Sequence, residues 1–166
     1  MLDRLLSDFE TPFDGYPVEL VLLRLLTAVV LGGLIGWERE VRNKPAGLRT
    51  HILIALAACL FTLIAFGMIE NVEPENQTHV RTDPLRLIEA VTAGVAFLAA
   101  GAIIQSGGSV HGLTTGAGMW LAGAIGLAAG SGRLALAILV TIVALIVLRV
   151  LRWLEIRTGR HRKQDD

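Results

Sequence analysis

Five apolar blocks, near Val18–Trp37, His51–Ile69, Leu87–Ile104, Gly112–Gly130 and Leu134–Leu151, leave this chain few folds to choose from. Each is roughly 17–20 residues long, the length a helix rising about 1.5 Å per residue needs to cross about 30 Å of hydrocarbon. Barrel strands would need only about 9–11 residues and would alternate apolar with polar, which these blocks do not. The sequence therefore predicts an all-α polytopic membrane protein: five transmembrane helices over residues 18–151, an extracytoplasmic segment 1–17 and a short basic tail 152–166. A hydrophobic content of 53% and a mean hydropathy of +0.60 agree with that class.

Formal net charge is zero, so no global basic field points to nucleic acid. The charge is sorted by side instead. With five spans, one side receives Arg4, Arg81, Arg86 and Arg133, and the other receives Arg39, Arg42, Lys44, Arg49, Arg149, Arg152, Arg157, Arg160, Arg162 and Lys163. The second side is expected to be cytoplasmic, with the N-terminus outside. Acidic residues at the start (Asp3, Asp8, Glu10, Asp14) and no small-residue cleavage pattern argue against a cleaved signal peptide. The single cysteine, Cys59, sits in an apolar run and excludes a disulfide or a thiolate cluster within one chain.

The spans differ in kind. The fifth is rich in Leu, Ile and Val, as expected of a helix facing lipid, whereas the third and fourth are rich in Gly, Ala and Thr. Gly32 and Gly36 form a GxxxG pair in the first, and Gly118, Ala122, Gly126 and Gly130 keep a small residue at every fourth position in the fourth. With Gly94 and Gly101 in the third, these are the expected helix-packing positions, because small faces let membrane helices approach closely. Individual pairs can also reflect the general abundance of Gly and Ala in such helices.

Charges inside spans are costly and become functional candidates. Arg24 and Glu89 lie at similar expected depths, roughly 7–9 Å below the outer helix ends. They could pair, Arg24 could instead snorkel to the headgroups, or the two could serve ion movement. With Glu19, Asp83 and Arg86 they make an outer-side charged cluster that could attract magnesium through oxygen ligands, although its two arginines oppose a cation. Asp83 before Pro84 equally fits a helix N-cap followed by proline at the first helical position.

On the other side, Glu38, Arg39, Arg49, Thr50, Thr114 and Thr115 form a cytoplasmic-side polar cluster at three helix ends. It suits either an anion, such as a phosphate or lipid headgroup, or plain helix capping. The dispersed His51, His79, His111 and His161 have no zinc-hydrolase spacing, and Gly107–Gly108 belong to no GxxxxGK[ST] pattern. No catalytic residues and no cofactor are indicated.

GWEREVRNKPAGLRTH at Gly36–His51, DPLR at Asp83–Arg86 and GLTTGAGMWLAGAIGLAAGSG at Gly112–Gly132 together resemble the membrane domain of the MgtC/SapB family of bacterial proteins. The resemblance runs from about Arg24 to Gly132. It implies a multi-pass protein of the bacterial inner membrane, not an enzyme, linked to growth when magnesium is scarce and in some members to virulence. The F-type ATP synthase is a partner it raises. Carried over position by position, the motifs select Glu38, Arg39, Lys44, Pro45, Gly47, Leu48, Arg49, Thr50, Asp83, Arg86, Gly112, Leu113, Thr114, Thr115 and Trp120. In the third span this chain reads GVAFLAAG where relatives are richer in glycine, and Glu89 precedes Ala90, where an amide is common. Many relatives append a cytoplasmic ACT-like domain, which is not expected here.

Two functions follow as expectations. The first is an interaction protein of magnesium homeostasis or envelope stress, acting as a homodimer or with another membrane protein. The second is a small oligomeric transporter or channel, with magnesium as the ion moved.

Overall fold

The computed structural model describes residues 16–70, 84–106 and 109–157. Five helices run in chain order: α1 Val18–Glu40, α2 Leu48–Glu70, α3 Pro84–Gly101, α4 Leu113–Gly130 and α5 Leu134–Arg157. Four of them, over Val18–Glu40, Leu48–Ile69, Leu113–Gly130 and Leu134–Leu154, are long and apolar enough to cross a membrane. The remaining helix, α3, carries Arg86 and Glu89 in its first half.

α3 begins and ends three residues earlier than the apolar block centred on it. Proline at its first position lacks only an N–H that would have no intrahelical partner, which sets the start. After Gly101 the chain turns into two short antiparallel strands, β1 Ile104–Ser106 and β2 Ser109–His111, with Ile104 opposite His111. The connection between the third and fourth apolar blocks is therefore a hairpin. It enters α4 through Gly112, whose φ of 84° is a conformation that glycine adopts without strain.

α1, α2 and α4 pack on one another as a three-helix core, and glycines make that possible. A Cβ built on Gly32 would lie 2.8 Å from Ala55 Cβ, and one on Gly36 would lie 2.7 Å from Leu48 Cα. On α4, a Cβ at Gly126 would strike the Ala55 carbonyl, and one at Gly130 would sit 2.6 Å from Thr62 Cβ. α2 answers with its own small stripe, Ala55, Ala58, Cys59 and Thr62, all buried. Two glycine faces thus close on the small-residue stripe of one helix, giving dense contact without bulky side chains.

The outer helices attach differently. α5 inserts Ala137 against Leu31, Ile35 and Ile125 and buries Thr141, while Leu136, Leu139, Ile142, Val143 and Ile146 point outward, as suits a lipid-facing span. α3 leans on α4 through Val91, Val95 and Ala99, and α4 makes room for it at Gly123, where a Cβ would lie 2.9 Å from Val95 Cγ2. Gly94 and Gly101 do not join this packing: a Cβ on either meets nothing within 4 Å. The expectation that they pack helices together is not met within the chain, because β-branched Val91 and Val95 occupy the inward face of α3 and turn both glycines away.

Candidate functional site

Where the hairpin end of the core closes, charged and polar side chains are buried among three helices. Glu38 and Arg39 end α1, His51 lies in the first turn of α2, and Thr115 lies in the first turn of α4; all four are buried. The Arg39 guanidinium donates to Thr115 Oγ1 at 3.3 Å and lies 3.8 Å from Glu38 Oε2. Arg42, one turn further along, makes a second ion pair with Glu38. Both Glu38 oxygens are held by these charges rather than by an aligned hydrogen bond. Burying a carboxylate is tolerable only with such compensation.

His51 completes the node. Its Nδ1 lies 2.9 Å from the Gly47 carbonyl, which can only accept, so Nδ1 carries the proton in that contact. Nε2 then points toward α4, 3.0 Å from where a Gly118 Cβ would be, and has no hydrogen-bond partner among the described residues. The ring is wholly buried. The α1–α2 connection holds it in place: Glu40 Oε2 accepts from the Leu48 amide at 2.7 Å, capping α2 from eight residues upstream. That carboxylate occupies the space a side chain on Gly47 would need.

Of the cytoplasmic-side candidates, Glu38, Arg39 and Thr115 come together, whereas Arg49 and Thr114 are exposed and Thr50 is half-buried. His51, which begins α2 with Arg49 and Thr50, joins Glu38, Arg39 and Thr115, whereas Arg42 and Glu40 were not among the candidates. The signal for His51 was present in the 51–55–59–62 spacing of small and polar residues along α2, which faces both glycine stripes.

Among the described residues the outer-side candidates do not assemble. Arg24 donates from Nη1 to the Gly130 carbonyl at 2.9 Å and lies over the Tyr16 ring, 5.1 Å from its centroid. It thereby caps the carbonyl end of α4, where a cation is favoured by the helix dipole. Glu19, Arg86 and Glu89 are exposed, and Asp83 lies outside the described residues. Among the described residues no three His, Cys, Asp or Glu side chains gather as metal ligands. An open groove of about 260 Å³ between α1 and α5 is lined by Leu26, Thr27, Val30, Leu31 and Ile138, well apart from the node.

The model of the MgtC family matches residues 25–157. An Escherichia coli K12 protein named as a putative magnesium transporter, YhiD, is 39% identical over 137 residues, covering 82% of this chain and 62% of its own length. Protein SapB of Bacillus subtilis 168 is 36% identical over 146 residues, covering 87% and 62%. Protein MgtC of Salmonella typhimurium LT2 is 37% identical over 131 residues, covering 79% and 52%. The chain thus spans between half and two thirds of the length of these relatives. No solved structure matches. The helical bundle agrees with that assignment, and the chain belongs to the MgtC family of bacterial membrane proteins.

Proposed function

We propose that this protein works in the bacterial inner membrane as a non-enzymatic component of magnesium physiology, acting by packing against a membrane protein. The observation that carries this reading is the uneven use of small-residue faces. Those of α1 and α4 are consumed inside the chain, while Ala93, Ala96 and Ala100 on α3 stay exposed. A face of that kind lets another helix approach closely. The magnesium link rests on the relative named as a putative magnesium transporter.

A photoreactive residue at Ala93 is expected to capture a protein in native membranes, and one at Leu139 on the lipid-facing side of α5 is not. Ala93→Leu with Ala100→Leu should slow growth at low magnesium of a strain that depends on this protein, while the purified variant melts as the wild type does. No capture together with full growth of the variant would sink the reading.

Ion movement is favoured by a different observation, the buried charges of Glu38 and Arg39, with half-buried Arg42 on Glu38, beside the unpartnered His51 Nε2. Its test is magnesium flux in proteoliposomes, wild type beside Glu38→Gln and His51→Phe. Flux above that of empty vesicles and lowered by both substitutions would establish it; flux at the empty-vesicle level would exclude it.

A further inference from the structure

The partner chemistry of the open α3 face can be read from its own residues. Val91, Val95 and Ala99 take the inward side. On the outward side, Arg86, Glu89, Ala93, Ala96 and Ala100 are all exposed and follow one another at steps of three, four, three and four. That alternation keeps one narrow seam along a helix, the pattern by which two helices run side by side. The seam has a charged head and a small-residue body.

We propose that this seam docks on the same seam of a second copy, α3 against α3, with Arg86 of each copy facing Glu89 of the other. The proposal rests on the interaction reading above and names its partner. Three features favour a second copy over another occupant. The head carries one positive and one negative charge about one helical turn apart, so about a two-fold axis along the membrane normal the long Arg86 side chain reaches the partner's Glu89 in the next layer and the four charges sum to zero. Neither Arg86 nor Glu89 forms an ion pair with a described residue, and charges on a helix surface turned toward lipid are costly. Identical chains also carry identical loop charge and insert the same way up. Two copies of α3 therefore run parallel, with Arg86 and the partner's Glu89 within reach in depth.

Below the charges, Ala93, Ala96 and Ala100 present only methyl groups, while the exposed Phe97 ring borders them on the side toward Gly94 and Gly101. Two backbones can come close there, as small-residue membrane interfaces require. A lipid phosphate meets Arg86 but leaves the Glu89 carboxylate unmatched, and an unrelated protein would need its own charge pair at matching depth.

The test uses the full chain in native membranes, with Cys59→Ala removing the single native thiol and Ala93→Cys placing a reporter in the seam. Oxidation is expected to give a disulfide-linked dimer from Ala93→Cys and little from Leu139→Cys. Glu89→Arg, which would bring four like charges together, should lower the dimer fraction about tenfold. Arg86→Glu should do the same, and the two together should restore it. Each variant is compared by its melting temperature in detergent; if a reversal shifts it, Arg86→Gln and Glu89→Gln replace the reversals and should each lower the dimer fraction.

Absence of a dimer at Ala93→Cys, or a dimer indifferent to these charges, overturns the proposal. Capture of a different protein at position 93 without a dimer overturns it too, but leaves the interaction reading standing. No adduct of any kind sinks both.

Discussion

A methyl group added to this protein has opposite consequences at two glycines. At Gly126 it meets the Ala55 carbonyl and Ala58 Cβ in the α2–α4 seam, so Gly126→Ala should cost about 1–3 kcal/mol by overpacking. At Gly94 it meets nothing, and Gly94→Ala should leave stability unchanged or raise it by about 0.5–1 kcal/mol through helix propensity. Unfolding of the two variants in detergent tests both signs. The buried ion pairs make a second contrast. Glu38→Ala leaves the Arg39 guanidinium buried with its main counter-charge gone, a loss of about 3–5 kcal/mol. Glu38→Leu combined with Arg39→Met removes both charges and should cost clearly less. A double variant no better than Glu38→Ala would show that Arg39 does not need Glu38 to be tolerated in the core.

Single elements differ in how firmly they are held. α2 is gripped by two helices, while α3 rests on α4 through a ridge of three residues. The Val95–Gly123 contact is a size match, so Gly123→Ala should push α3 away from α4, and Val95→Ala added to it should recover most of the lost stability. Unfolding curves of the two single variants and the pair test this; equal losses for Gly123→Ala with and without Val95→Ala would refute the match.

Element identity was legible because five long apolar runs have one economical solution. The hairpin was not, since strands of three residues leave no periodicity to read. Helix ends told that Glu38, Arg39 and Thr115 share a level. They could not tell that Arg49 and Thr114 turn outward, because hydropathy along a membrane helix sets depth far better than rotation about its axis. For the same reason Gly94 and Gly101 looked like internal packing residues, and Arg24 could not be assigned to the Gly130 carbonyl in place of Glu89. The choice between a helix end and a carboxylate depends on which face α1 turns to α4.

At the scale of the molecule, the ten bases on one side against four on the other predict its orientation in the membrane. A reporter active only in the cytosol should work when fused after Asp166 and fail when fused before Met1. The reverse pattern would invert the placement of the polar node, which would then face outward.

The order of packing also differs from the order of synthesis. α4 closes the flank of α2 that holds Ala55, Cys59 and Thr62, yet α3 and the hairpin are made between them. At about 5–20 residues per second, that flank of α2 waits several seconds in the bilayer without its partner. During this interval nothing built later may occupy the seam. Val91 and Val95 are bulkier than the Gly126 and Gly130 that this seam takes, so α3 is expected to stay at the periphery until α4 arrives and offers Gly123. On that expectation the residues that hold α3 at the edge of the finished bundle also keep the nascent chain open for the helix that completes it, and Val91→Ala with Val95→Ala should slow assembly in a pulse-labelled protease-protection assay.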